Sequence, residues 1–335
     1  MTLFESLLWP LTLPYGAATH LRARAYRTGL LRSKRLDGIV ISVGNITVGG
    51  TGKTPMVFWI AEHLIAEGQK TGILTRGYRG EASAEGSTSD EVQLLRARLG
   101  DRVSFGVGAD RWSRGRELSA RGVEWFVLDD GFQHLQLARD VDIILIDATN
   151  PFGGGHLLPA GRLREPKSAL ARADVVVITR SDHAPAVETV VRRESDAQIF
   201  YARTQLDSVQ SVSSSQPAEA QAREGKLFAF CAIGNPKAFL EDLRSWGFTI
   251  VGHAFFPDHH RFTARDLQTI EQEARRAGAS ALICTEKDTF NLGGAPSMDL
   301  FVCRVSLRIA REQDFWTTLM AIAKKHSHTG AGVVR

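Results

Sequence analysis

The feature that most restricts this chain is VGGTGKT, Val48 to Thr54, set between the β-branched run Ile39 to Val43 and an apolar stretch of helical spacing from Met56 to Glu67. A strand that ends in a glycine-rich turn and restarts as a helix points successive backbone N–H groups at one spot, the geometry that cradles phosphate. Gly49, Gly50, Thr51 and Gly52 form the turn, Lys53 supplies a cation near the β- and γ-phosphates, and Thr54 offers a hydroxyl to Mg²⁺. Pro55 opens a helix whose dipole favours anions. The general spacing G-x-x-x-x-G-K-T asks for glycine at position 47, where Thr47 stands, so the match is to the GG-x-GKT variant. A plain glycine-rich surface turn is the alternative, and the flanking strand and helix speak against it.

Around this loop the pattern alternates between short apolar runs and helical stretches, which predicts an α/β fold with a mostly parallel sheet. The runs Thr71 to Thr75, Trp125 to Leu128, Ile143 to Ile146 and Val175 to Thr179 read as further strands, and Asp110 to Ala120 as a helix. At 335 residues the chain is long enough for two domains. We expect a P-loop NTPase-like domain over 39–210, a Ser- and Gln-rich linker over 211–225 and a smaller C-terminal α/β domain over 226–310. A C-terminal helix and tail follow over 311–335. In the smaller domain Phe228 to Cys231, Thr249 to Gly252, Ala281 to Cys284 and Leu300 to Val305 read as strands, with helices at Pro236 to Trp246 and Ala264 to Ala277.

Three further segments carry chemistry. In WFVLDDGFQH an apolar strand ends in Asp129 and Asp130, and a strand-end aspartate beside a P-loop commonly holds Mg²⁺ or its water shell. Alone, the pair reads equally as a turn or helix cap. Gln133 and His134 are placed to orient phosphate or an attacking hydroxyl, or to serve structure. Transfer of phosphate also needs a group that positions and deprotonates the acceptor, a task for a carboxylate tuned by histidine. Asp90 and Glu91 in SDE offer carboxylates, though a helix cap with an acidic first turn explains them as well. FFPDHHRF supplies Asp258, His259, His260 and Arg261.

Three separated cysteines, Cys231, Cys284 and Cys303, give neither a disulfide framework nor a zinc site and fit a reducing, cytoplasmic setting. A net charge of +4 suits nucleic acid, an anionic membrane or a phosphorylated substrate. Much of it follows the opening LFESLLWPLTLPYG, as Arg22, Arg24, Arg27, Arg32, Lys34 and Arg35. Glu5, Pro10 and Pro14 break this apolar run well short of the roughly 18–20 residues a membrane span needs. The charges follow the apolar part, opposite to a secretory signal. Residues 1–38 therefore read as an amphipathic membrane-docking segment, with Leu3, Phe4, Leu7, Leu8 and Trp9 entering the headgroup layer, or as a first helix packed on the core.

Taken together, SVGNITVGGTGKTP, LTRGYRG, SDE, LDDGFQH, PFGGGHLLPAGRLREP, FPDHHRFT and TEKD, in that order, resemble the tetraacyldisaccharide 4'-kinases of bacterial lipid A biosynthesis over nearly the whole chain. The resemblance implies transfer of the ATP γ-phosphate to the 4'-hydroxyl of tetraacyldisaccharide 1-phosphate, forming lipid IVA at the cytoplasmic face of the inner membrane. ATP and Mg²⁺ are the implied cofactors. The partners are an acylated disaccharide lipid and an anionic membrane surface, with no nucleic acid. It places Lys53, Asp129 and Asp130 in catalysis, with Asp90 as a base paired with His259. It adds Thr54, Asp129, Asp130 and Glu91 near the metal, Gln133 near the nucleotide, and Arg76, Tyr78, Arg164 and Glu165 along the substrate. Lys287 and Asp288 in TEKD have no settled task. Gly154, where asparagine is frequent, and Arg162, where proline is, depart from the family pattern without touching a proposed catalytic group.

The rival from another class is a membrane-associated GG-x-GKT switch ATPase of the partitioning type. Such proteins carry lysine where this chain has Val48, and that reading leaves DDGFQH and FPDHH without a task.

Overall fold

The computed structural model describes residues 3–77, 89–213 and 216–329. In chain order the strands are β1 (Ile39–Gly44), β2 (Thr71–Thr75), β3 (Ser104–Val107), β4 (Trp125–Asp129), β5 (Val141–Asp147) and β6 (Val175–Thr179). They continue as β7 (Gln198–Ser211), β8 (Lys226–Cys231), β9 (Thr249–Phe255), β10 (Ala281–Thr285) and β11 (Leu300–Ile309). The helices are α1 (Leu3–Arg27), α2 (Lys53–Ala66), α3 (Asp90–Leu99), α4 (Arg111–Ser119) and α5 (Pro185–Glu194). After them come α6 (Glu219–Glu224), α7 (Pro236–Ser245), α8 (Ala264–Arg276), α9 (Glu286–Thr289) and α10 (Glu312–Thr329).

The chain divides into two compact units, and the cut is not sequential. One comprises Met1–Gly80, Leu99–Arg203 and Leu307–Arg335, the other Glu81–Arg98 and Thr204–Ser306. The segment carrying Asp90 thus belongs with the smaller unit. The stretch expected as a linker holds the end of β7 and the helix α6, whose Ala222 is fully buried in an apolar cluster with Leu227 and Leu243. Its small side chains pack without giving an apolar period.

In the first unit the strands run in the order β3-β2-β4-β1-β5-β6-β7, and every pairing is parallel. β2, β4, β5 and β6 are buried along their whole length, as expected where helices cover both faces. Chain order reverses at β1, with β4 on one side and β5 on the other, so the crevice beyond the carboxyl end of β1 is where such a sheet binds ligands. The second unit repeats the principle with β9-β8-β10-β11, again parallel.

The prolines that interrupt the apolar run do not end the amino-terminal helix, and α1 continues through Pro10 and Pro14 for 25 residues. Each proline removes one backbone donor. Four residues apart, they share a face. Both prolines are exposed. Among the described residues no helix is long and apolar enough to cross a membrane.

Candidate active site

The phosphate loop is built as its sequence demands. Gly52 closes it in the left-handed region, with φ of 90°, and α2 begins at Lys53. Asn45 clamps the interior, its Nδ2 donating to Thr51 Oγ1 at 3.0 Å and to the Gly49 carbonyl at 3.4 Å. Asn45 is a residue that the sequence reading passed over, since an asparagine after a strand reads as an ordinary turn former.

Two other segments are stitched to the first limb of the loop. Gly131 N–H donates to the Val43 carbonyl at 3.0 Å, and Gln133 Nε2 to the Asn45 carbonyl at 2.9 Å. Gly44 permits this approach, since a Cβ there would lie 2.6 Å from Phe132 Cβ and 2.8 Å from its backbone nitrogen. On the other flank Arg164 N–H donates to the Ile46 carbonyl at 2.8 Å, and Val48 N–H to the Arg162 carbonyl at 2.7 Å. DDGFQH and LREP therefore serve the P-loop directly.

Their side chains converge on Asp130. Arg164 donates to both of its carboxylate oxygens at 2.8 Å, and Lys53 Nζ stands 3.6 Å away. Burial pushes the Asp130 carboxyl up, but Lys53 and Arg164 outweigh it and hold the group below its ordinary value. Asp130 adopts φ of 48°, a left-handed conformation that aspartate tolerates better than most residues. Asp129, buried at the end of β4, accepts from Thr75 Oγ1 at 3.3 Å. Arg111 is the second residue missed. It is buried at the start of α4, and burial pulls its guanidinium below the ordinary value while Asp129 and Asp130 oppose the shift. Within RWSRGR it reads as part of a solvated basic face.

Several sequence candidates have other partners than expected. Glu165 is buried, with Arg172 donating to both its oxygens at 2.9 and 3.0 Å, and it also accepts from Gln133 Nε2 at 3.1 Å. It braces Gln133. The amide of Gln133 is in turn spent on Asn45, Glu165 and Arg164. Burial and the cations Arg111, Arg139 and Arg22 press His134 down to about 4, so it is neutral at physiological pH. Thr54 lies in the first turn of α2 and Arg76 follows β2. Tyr78 lies outside the described residues. Gly154, at φ of 83°, occupies a left-handed position that suits glycine or asparagine.

The second unit assembles a constellation of its own. Asp90, buried at the first position of α3, accepts from His259 Nδ1 with both oxygens at 2.9 Å and from Asn291 Nδ2 at 3.0 Å. Lys287 Nζ stands 3.6 Å from Asp90, 3.5 Å from Glu91 and 3.2 Å from Asp258. Burial raises the Asp90 carboxyl, yet the His259 hydrogen bond, Lys287 and Asn291 together bring it down to about 2. The same hydrogen bond raises His259 against the opposing effects of burial and Lys287. His259 Nε2 is 3.5 Å from Glu91 Oε1 and 3.6 Å from Asp258 Oδ2, beyond ordinary hydrogen-bond length. His259 has φ of 62°, an uncommon conformation of the kind that gathers at functional sites. His260 instead pairs with Asp266 at 3.1 Å, which separates the two adjacent histidines by task.

TEKD also acquires a structural account. Asp288 is fully buried, accepting from Ala232 N–H at 2.8 Å and from Thr285 Oγ1 at 2.5 Å, and it completes the capping box of α9 with the N-cap Thr285. Lys287 is the member of the motif that reaches the Asp90 cluster.

Both the sequence and the fold have counterparts among known proteins. The profile of the tetraacyldisaccharide-1-P 4'-kinase family, LpxK, matches residues 4–324. The tetraacyldisaccharide 4'-kinase of Geobacter metallireducens is 39% identical over 307 residues, covering 86% of this chain and 88% of its own. That of Geobacter sulfurreducens is 40% identical over 298 residues, covering 83% and 81%. Among solved structures, an "apo" form of LpxK from Aquifex aeolicus in complex with ATP matches with a TM-score of 0.71 at 28% identity, over 96% of this chain and 99% of its own. The chain belongs to the tetraacyldisaccharide-1-P 4'-kinase family.

Proposed function

We propose that this chain transfers the γ-phosphoryl group of ATP to the 4'-hydroxyl of tetraacyldisaccharide 1-phosphate, giving lipid IVA. The observation that carries the mechanism is the pairing of Asp90 with His259, 169 positions apart in sequence and 2.9 Å apart in space. The first unit holds the donor nucleotide: the loop from Gly49 to Thr54 turns its amides to the phosphates and Lys53 adds its charge. Asp130 and Arg164 keep Lys53 in place, and Arg111 supplies a buried cation for charge developing on the transferred group.

Asp90 and His259 form the acid–base pair. A carboxylate held at about 2 is a poor store for a proton, whereas the raised imidazole is a good one. Asp90 therefore orients His259 through Nδ1–H and stabilises its charged form, and Nε2 receives the proton of the 4'-hydroxyl. This makes His259 the proton acceptor of the pair in which the sequence reading made Asp90 the base. Because phosphoryl transfer relies mainly on positioning and charge, the pair acts first by orienting the hydroxyl.

Thr54, Asp129 and Asp130 are all hard oxygen donors beside the phosphate loop, which fits the preference of Mg²⁺ for oxygen ligands and shared phosphate. They would hold the ion, which neutralises charge on the β- and γ-phosphates when bound. Glu91 lies in the other unit with Asp90 and His259, a set of three side chains whose donor atoms approach closely enough for a cation. Its nitrogen ligand suits Mg²⁺ less well.

The acceptor carries four acyl chains, each buried CH₂ worth about 0.8 kcal/mol, so the protein goes to the membrane rather than the lipid to the protein. Helix α1 exposes Trp9, Leu11, Leu13 and Leu21, and ends with Arg24 and Arg27. Leu30 and Leu31 add exposed apolar surface beside Arg32. This is the surface we assign to the cytoplasmic face of an anionic bilayer. Phosphate transfer to tetraacyldisaccharide 1-phosphate tests the reaction. Loss of vesicle binding on removing residues 1–14 tests the docking, and binding that persists unchanged would refute it.

A further inference from the structure

The amino-terminal segment also makes a set of bonds to the rest of the first unit. Tyr15 Oη donates to the Arg164 carbonyl at 3.0 Å, and Arg22 Nη1 to the Gln133 carbonyl at 3.1 Å. After α1 ends, Ser33 Oγ donates to the Leu135 carbonyl at 2.6 Å. Lys34 N–H then donates to the Gln136 carbonyl, and Ala138 N–H to the Lys34 carbonyl, both at 2.8 Å. All of these bonds lie within the first unit. A Cβ on Gly16 would meet Leu157 Cδ1 at 2.9 Å, so the helix backbone is also close-packed on the segment leading to Arg164.

The targets of these bonds are the residues that set the phosphate loop. Arg164 grips both oxygens of Asp130 with its side chain and Ile46 with its N–H. Gln133 grips the Asn45 carbonyl at the base of the loop. A change in the seating of α1 therefore reaches Asp130 and Asn45 through one intervening residue, and Lys53 through two.

We infer that docking of α1 on an anionic membrane is coupled to nucleotide binding at the P-loop, with Tyr15 and Arg22 as the positioning residues that transmit it. The inference rests on the docking surface assigned above. Helix α1 free in water is held to the site by these bonds and by its packing at Gly16 on Leu157. On a bilayer the membrane holds it as well, which fixes Arg164 and Gln133 in the arrangement that serves the phosphates. By linkage, docking then raises the affinity for ATP, and ATP raises the affinity for the membrane by the same factor.

The experiment measures the dissociation constant of Mg·ATP for the full chain with and without vesicles of phosphatidylglycerol and phosphatidylcholine that contain no acceptor lipid. Co-sedimentation reports docking separately. The expected result is ATP binding about fivefold tighter on vesicles, at the lower end of ordinary coupling between sites. Tyr15→Phe, which removes one hydroxyl and no charge, should still sediment with vesicles while its ATP affinity changes less than about twofold. A chain that sediments but binds ATP equally well in both states overturns the coupling. Tyr15→Phe that keeps the full effect overturns the route through Arg164. A wild-type chain that does not sediment overturns the docking reading, and the inference with it.

Discussion

Substituting Asp90 by Asn and His259 by Gln, singly and together, probes the acid–base pair more sharply than either change alone. Each single change removes a hydrogen bond of 2.9 Å between a carboxylate and an imidazole, within a cluster where Asp90 is buried. Hydrogen bonds to charged groups contribute about 1.5–3 kcal/mol, so each change should lower kcat by about 10- to 100-fold. If the two residues act as one unit, the double variant is about as slow as the slower single one, far from the product of the two losses. The KM for ATP should stay within about twofold, because the nucleotide is held by residues of the first unit. The pH profile adds a signed test. Asp90 raises His259, so Asp90→Asn should move the acid limb of kcat/KM to lower pH. Steady-state transfer at saturating ATP, repeated from pH 5 to 9, reads all three quantities. Multiplying losses, or an ATP KM that rises with the kcat loss, would refute the paired role.

Other consequences concern the loop and the buried charges. Arg164→Lys removes the guanidinium Nη1 that holds both Asp130 oxygens while keeping the charge, and should cost about tenfold in kcat/KM, since one charge-assisted bond of about 1.5–3 kcal/mol is lost; an unchanged value would show that charge alone suffices. Gly44→Ala places a Cβ against the backbone of Phe132 and should destabilise the chain by about 1–3 kcal/mol, read as a lower Tm; an unchanged Tm would mean that the two segments part readily. Burial lifts Asp288 to about 6, above its ordinary 3.8. Its contribution is therefore fully present below pH 3.8 and is lost as pH rises through 6. Urea unfolding across that window should show a decline in the wild type that Asp288→Asn lacks; parallel curves would refute it.

What the sequence disclosed was local. The P-loop, its strand and its helix sit where the glycines and β-branched runs place them, because close backbone approach and apolar alternation are written within a dozen residues. The family resemblance extended this to Asp90 and His259. The brace of Glu165 by Arg172 and the convergence of Arg111 on Asp129 were not legible, since a buried charge looks like a surface charge until its partner is placed. The unit boundary was hidden for a related reason, because the SDE segment shows helix signals but nothing that says which sheet its helix covers. Helix α1 ran past two prolines that in a buried helix would have ended it. The long strand β7 is rich in polar residues, with an exposure pattern that no apolar alternation announces.

The most direct test of the account is transfer of radiolabel from γ-labelled ATP to tetraacyldisaccharide 1-phosphate in detergent micelles with Mg²⁺, with Lys53→Ala as the blank. The account predicts labelled lipid at the 4'-position from the wild type and none above background from the blank. ATP hydrolysis stimulated by anionic vesicles, with no label in the lipid, would contradict it and favour a membrane-gated switch ATPase.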